Sequence, residues 1–317
     1  MTVNFVTFDE GEIGGYVDHQ SSVKSAILGS TFNEHTFNFY VEHKPVKGYL
    51  VIVTESPPEF IKWRLWLNNF SLTKEFKPNL SFSGESKKET SFHIFDVTHL
   101  ITSGKNELTI SYNGARSLAV KVVSVVSIIE ATGFHTAYSL RGGYLQLRPG
   151  DQIELKSLGR NYIVLKGNLR EQVRIMNGKN FDDLIELNHE CEEVEPESEG
   201  IVKVLNVTEA SKASVQLLLH YTYKSEAPAL DFDLIPNVIG NVLQIRIVNT
   251  GEVDIEKVTL NVMVNGVTAS FRTITNVGKG RDAVCEVQIP PRKGNVLIRA
   301  VGIKAGLRRI LDKELDR

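Results

Sequence analysis

Alternation between apolar and polar positions dominates this chain. In Ile61-Lys62-Trp63-Arg64-Leu65-Trp66-Leu67-Asn68, the residues Ile61, Trp63, Leu65 and Leu67 share one face, and Lys62, Arg64, Trp66 and Asn68 share the other. The same period of two recurs in Leu108–Tyr112, in Leu243–Ile247 and, less strictly, in Val258–Val264. A period of two is the mark of a half-buried strand, since successive side chains leave a strand on opposite faces. Few windows carry apolar residues at helical spacing. Turn residues separate the alternating segments: Asn113-Gly114, Arg141-Gly142-Gly143, Pro149-Gly150-Asp151, Asn177-Gly178 and Asn265-Gly266. Short strands punctuated in this way predict an all-β chain of tandem β-sandwich domains.

Length and charge divide the chain further. Its 317 residues suffice for two or three domains. Residues 128–232 carry a net charge of −5 and residues 233–317 a net charge of +4. The acidic excess concentrates in Glu190-Cys191-Glu192-Glu193-Val194-Glu195-Pro196-Glu197-Ser198-Glu199-Gly200, which reads as an exposed loop because five glutamates in eight residues resist burial. A second break falls at Ser225–Ala229. The expected domains are residues 1–127, 128–232 and 233–317.

Composition removes several classes of function. With 36 Lys and Arg against 38 Asp and Glu, the chain lacks the basic excess that phosphate-backbone binding needs, so no nucleic-acid partner is expected. Two cysteines, Cys191 and Cys285, exclude a disulfide scaffold and a four-cysteine zinc site. The most apolar stretch, Ser117–Ile129, carries Lys121 and three serines, so no membrane insertion is expected. Met1–Glu10 lacks the basic and apolar regions of a signal peptide, and a cytoplasmic location is the expectation. In a secreted chain, Asn69-Phe70-Ser71, Asn79-Leu80-Ser81 and Asn206-Val207-Thr208 would be glycosylation acceptors.

Two segments carry family resemblances. Trp66-Leu67-Asn68-Asn69, followed by Phe95-Asp96-Val97-Thr98-His99-Leu100-Ile101 and Gly104-Lys105-Asn106-Glu107-Leu108, resembles the galactose-binding-like jelly roll found beside β-galactosidase-like catalytic barrels. Asp96 and Thr98 are of the type that bonds a turn backbone, and Leu100 is expected to drop into the core. Asn69 stands where that family often has Gly, a change that a left-handed turn tolerates. The catalytic barrel is absent. Val248-Asn249-Thr250-Gly251, Val258–Val264, Asn265-Gly266 and Gly278-Lys279-Gly280-Arg281 are similar to CARDB-type immunoglobulin-like modules, a family common in archaea and bacteria. That resemblance implies a spacer or an adhesive surface. Residues 128–232 resemble no family, and a third sandwich is expected there.

Catalytic motifs are missing. There is no Gly-x-Ser-x-Gly elbow, and Gly278-Lys279-Gly280 has no helix to make it a phosphate loop. His189 and Cys191 flank Glu190 but have no further ligands beside them, and Cys285 reads as a core thiol. No metal or cofactor is expected. Of the carboxylate pairs that glycoside hydrolysis would need, Glu10/Glu12 and Asp182/Asp183 read as solvated loops, and Asp231/Asp233 as a linker. Trp66, with Lys62, Arg64 and Asn68 on its face, is the candidate binding surface, as an exposed Trp among polar groups serves sugars and protein hot spots alike. Leu307–Leu315 reads as a last strand or a short helix. The expected function is a non-catalytic β-sandwich scaffold with a protein partner. A carbohydrate-binding role for the jelly roll is the alternative, and a glycoside-processing enzyme with an unrecognised site is the third reading.

Overall fold

The computed structural model describes residues 3–58, 61–73, 77–83, 88–177, 182–291 and 294–316. These residues form 26 strands and no helix, so the all-β expectation holds. Gly178 of the expected Asn177-Gly178 turn lies outside the described residues. The chain divides into two compact units, Met1–Glu130 with His135–Ser225 and Ala131–Phe134 with Glu226–Arg317.

In the first unit the chain runs through β1 (Val3–Ile13), β2 (Gly15–Ser22), β3 (Ala26–Leu28), β4 (Glu34–Val41), β5 (Lys47–Ser56) and β6 (Arg64–Leu67). It continues through β7 (Phe70–Thr73), β8 (Leu80–Ser83), β9 (Glu89–Asp96), β10 (Gly104–Ser111), β11 (Leu118–Glu130) and β12 (His135–Leu147). The unit closes with β13 (Gln152–Ser157), β14 (Arg160–Gly167), β15 (Glu171–Met176), β16 (Asp182–Leu187), β17 (Cys191–Val194), β18 (Gly200–Asn206) and β19 (Val215–Glu226). Sheet I has the order β4-β10-β6-β7. Sheet II has the order β2-β11-β5-β9-β8, with β3 also on β11. Sheet III is β1-β12-β19-β14-β17, and sheet IV is β13-β18-β15-β16.

Three apolar cores place these sheets in four layers. Phe39, Leu65 and Leu108 of sheet I meet Leu50, Ile52 and Val123 of sheet II. Val51, Phe92 and Val126 on the opposite face of sheet II meet Tyr138, Leu140 and Val164 of sheet III. Leu145, Ile163 and Leu165 of sheet III then meet Leu155, Val173 and Val202 of sheet IV. Sheets II and III are thus covered on both faces, and a strand so placed is apolar on both sides. This accounts for the Ser117–Ile129 stretch, which is the doubly covered β11. No helix among the described residues is long and apolar enough to cross a membrane.

The chain does not fill these layers in order. β1 pairs along its length with β12, from Val3 opposite Leu145 to Ile13 opposite Thr136, so the first strand belongs to sheet III. The expected boundary near 128 falls inside β11. Between β1 and β2 the chain crosses from sheet III to sheet II through the single residue Gly14. A Cβ at Gly15 would stand 1.9 Å from the carbonyl oxygen of Ile129. Arg141-Gly142-Gly143, expected as a turn, lies within β12 instead. A Cβ on Gly142 would meet Leu219 at 3.3 Å and Phe8 at 3.7 Å, so the missing side chain makes room for core packing rather than for a bend.

The jelly-roll motif residues act structurally. Asn68 and Asn69 both take left-handed φ values, 51° and 65°, in the tight β6–β7 hairpin. Asp96 accepts hydrogen bonds from the Thr98 amide and hydroxyl, and Thr98 Oγ1 accepts one from the Gly48 amide. Ile101, with no exposed surface, is the fully buried residue of this turn, whereas Leu100 packs against the core only in part. The buried Asn106 amide bonds the backbone of Thr102 and Gly104.

The second unit holds β20 (Phe232–Ile239), β21 (Val242–Asn249), β22 (Ile255–Val264), β23 (Val267–Val277), β24 (Asp282–Gln288), β25 (Asn295–Lys304) and β26 (Leu307–Asp316). Sheet V is β20-β21-β24, and sheet VI is β23-β22-β25-β26. They enclose one core that includes Phe232, Ile245, Leu260 and Ile298. Asn265-Gly266 makes the β22–β23 hairpin with φ values of 51° and 79°. Leu307–Leu315 is the strand β26, which resolves the strand-or-helix alternative.

Candidate functional site

The residues singled out from the sequence lie in and beside strand β6. Arg64 and Trp66 are on the outer face of sheet I, paired with Ser111 and Thr109 of β10. Arg64 and Lys62 are exposed, and Trp66 is half-buried. Trp63 turns the other way into the core, where its ring meets His93 edge-on at 5.0 Å. The half-buried Asn68 makes side-chain hydrogen bonds within the fold. Its Nδ2 donates to Leu100 O and Asn106 Oδ1, and its Oδ1 accepts the Glu107 amide.

Concavities open among the described residues of the first unit. One, of about 240 Å³, is lined by Trp63, His93, Glu89, Ser91 and Thr54. Burial holds His93 neutral, with its pKa pushed down to about 4. Another, of about 330 Å³, opens between sheets III and IV beside Glu10, Glu12, Ser139, Arg141 and Lys156. Glu10 and Glu12 are strand residues, not the loop residues expected from the sequence. A β-bulge in β1 between Thr7 and Asp9 decides where they point. Asp9 faces sheet II, where it accepts hydrogen bonds from Lys47, Tyr49 and Tyr138 at 2.9–3.1 Å. The bonds that Lys47 donates to Tyr138 and Asp9 hold it above its ordinary pKa, while burial and then Asp9 push Tyr49 up to about 12. Glu10 and Glu12 leave the opposite face, in register with Ser139 and Ala137.

Charge is also buried between sheets II and III. Glu55 of β5 and Lys166 of β14 pair directly, with side chains 9% and 11% exposed. Lys121, the extra residue at a bulge in β11, donates to Glu190 and to the carbonyl of His189. Cys191 sits among these groups, and burial pushes its thiol up to about 12, the opposite of nucleophilic activation. The segment expected as an acidic loop begins as the edge strand β17, which buries Cys191 and exposes Glu193, and Glu195, Glu197 and Glu199 beyond the strand are also exposed. Asp182 and Asp183 open strand β16, and Asp233 lies on β20. Cys285 is half-buried against the second unit's core.

Alternation alone did not reveal the outer face of sheet VI. Four cross-strand rows lie there: Thr268-Met263-Leu297-Glu314, Phe271-Asn261-Arg299-Asp312, Thr273-Thr259-Val301-Ile310 and Thr275-Lys257-Ile303-Arg308. Phe271 and Ile310 are 61% and 56% exposed. Periodicity marks one face of each strand as polar-facing, but only the register gathers its scattered apolar members into rows.

No family model matches the chain, and no curated protein matches it. Solved structures of β-glucuronidases are similar to it at low scores. The Ruminococcus gnavus enzyme aligns at 6% identity and a TM-score of 0.22, over 58% of this chain and 36% of that one. The Dictyoglomus thermophilum enzyme aligns at 9% identity and 0.22, over 89% and 36%. The Parabacteroides merdae enzyme aligns at 8% identity and 0.24, over 56% and 28%. The chain thus spans between 28% and 36% of the length of these structures.

Proposed function

We propose that this chain is a non-catalytic β-sandwich protein that works by contact between protein surfaces, and that its contact surface is the outer face of sheet VI. The supporting observation is the set of four rows on that face, in which Phe271, Met263, Leu297, Val301, Ile310 and Ile303 lie among threonines. Exposed apolar residues gathered into one patch mark an interaction site more often than the same residues scattered singly. The occupant is a second copy of the chain. The face is basic at its Lys257 and Arg308 end and acidic at Glu314. Two copies laid face to face with strand directions reversed set each basic end over an acidic one, an arrangement with two-fold symmetry. From strand spacing and rise the face spans roughly 500 Å² per copy. That total sits near the lower bound of specific interfaces, so the dimer is weak and concentration-dependent. Sedimentation velocity over a dilution series should show reversible dimerisation that Phe271→Glu abolishes while circular dichroism stays unchanged. A monomer at every concentration overturns the proposal.

The smaller cavity favours a second reading, carbohydrate binding by the first unit. An aromatic ring beside hydroxyls and a carboxylate, as Trp63, Ser91, Thr54 and Glu89 provide, is the composition sugars use. Titration with mono- and oligosaccharides, followed by tryptophan fluorescence and calorimetry, decides it. Absence of both signals removes this reading.

A further inference from the structure

The interface between sheets III and IV is apolar along most of its length and polar at one mouth. Leu145 and Leu147 of β12 enter its core. Further back along the same strand, Arg141 and Ser139 line the mouth, with Lys156 of β13 on the sheet IV side. The cavity there, of about 330 Å³, falls within the size range of small-molecule sites.

Polar atoms in this wall lack partners. Ser139, 7% exposed, has an Oγ with no hydrogen-bond partner among the described residues, and so does the enclosed Nε of the half-buried Arg141. Close to Arg141, His220 bonds Asn161 through Nε2 at 3.1 Å, while its Nδ1 is likewise unmatched. Burial, and then the Arg141 charge, pushes the His220 pKa down to about 3. The neutral imidazole therefore adds no competing positive charge. Thr222 is already occupied, accepting the Leu158 amide at 2.8 Å. Buried donors without partners lose roughly 1–3 kcal/mol each unless a ligand or water meets them. A guanidinium fork suits a carboxylate in particular.

The rim adds a second requirement. Glu10 and Glu12 line the same cavity, and among the described residues Glu12 meets His135 in an exposed contact at 3.6 Å. A bare anion would be repelled by these carboxylates, whereas a molecule with donor groups opposite its own carboxylate would satisfy both walls.

We propose that the mouth between sheets III and IV binds a small carboxylate compound that carries hydrogen-bond donors on its far side. Its carboxylate lies against Arg141 and Ser139, and its donors lie toward Glu10 and Glu12. Hydroxyl groups and an ammonium group meet that need equally, so polyhydroxy acids and α-amino acids are its two sources. This site is independent of the sheet VI surface.

Calorimetric titration of the full chain with gluconate, glutamate, glucose and acetate tests it. Gluconate or glutamate should bind, and whichever does so identifies the donor group. Glucose should not bind, and acetate should bind more weakly. Arg141→Met should weaken binding about tenfold or more, as expected for the loss of one charge-assisted hydrogen bond. Glu10→Gln, at an exposed position that leaves the core untouched, should weaken binding severalfold, and it remains informative if the Arg141 variant does not fold. Failure of both acids to bind, binding of glucose equal to that of gluconate, or no effect of Glu10→Gln overturns the proposal.

Discussion

The Glu55–Lys166 pair joins sheets II and III, and its two charges make a sharp energetic test. Both side chains are about nine-tenths buried, so neither has solvent to fall back on. Replacing Lys166 with Met leaves the Glu55 carboxylate buried without its ion-pair partner. Loss of one partner of a buried pair costs about 3–5 kcal/mol, whereas replacing both partners with apolar groups of similar size is close to neutral or stabilising. For a unit of this size, each kcal/mol moves Tm by roughly 2–4 °C. Lys166→Met and Glu55→Leu should therefore each lower Tm by about 6–20 °C, and the double variant should recover most of that loss. Lys121 lies in the same cluster and partly compensates an orphaned Glu55, so the Lys166 variant should fall toward the smaller end. Urea unfolding of the four proteins, followed by circular dichroism, supplies the double-mutant cycle. Losses that simply add in the double variant would refute the coupling.

Acid should weaken the fold through its buried imidazoles. His93 and His220 titrate near 4 and 3 when folded and near 6.5 when unfolded, so the unfolded chain binds more protons between those values. Their contribution is fully present above pH 6.5 and declines as pH falls toward 3. Urea midpoints measured from pH 7 to pH 4 should drop, and a flat profile contradicts the assignment. Gly15→Ala should destabilise severely, because the added Cβ meets backbone rather than a movable side chain. Gly240→Ala, in a left-handed turn with open space around its Cβ, should cost only about 1 kcal/mol. Comparable melting losses in the two variants would remove the steric argument at the crossing.

Sequence pattern was legible wherever one strand met solvent on one side. The face division at Ile61–Asn68 and the turns at Asn265-Gly266 and Pro149-Gly150 are local properties, and each stands in the structure as read. Features set by two strands at once were not legible. Glu10 and Glu12 read as loop because the bulge after Thr7 breaks the alternation of β1. Gly142-Gly143 read as a turn because nothing in the local sequence announces Leu219 and Phe8 pressing on Gly142. Ile101 rather than Leu100 fills the core, a difference of one position that depends on how the Asp96–Thr98 turn aims the chain. Of the proposed site, Arg141 carried no sequence signal at all. Its interest lies in an Nε left unmatched in a wall, which only three-dimensional accounting reveals.

The pairing of β1 with β12 also bears on biosynthesis. The ribosome makes β1 roughly 130 residues before its partner, which at about 5–20 residues per second is a delay of about 7–26 s. During that interval a strand carrying Phe5 and Phe8 has no neighbour of its own, and it becomes a segment for chaperones to hold or for other nascent chains to capture. Relocating β1 to follow β19 in a rearranged chain would abolish the wait, and its yield in cell-free translation would report how much of the folding hazard this one strand carries.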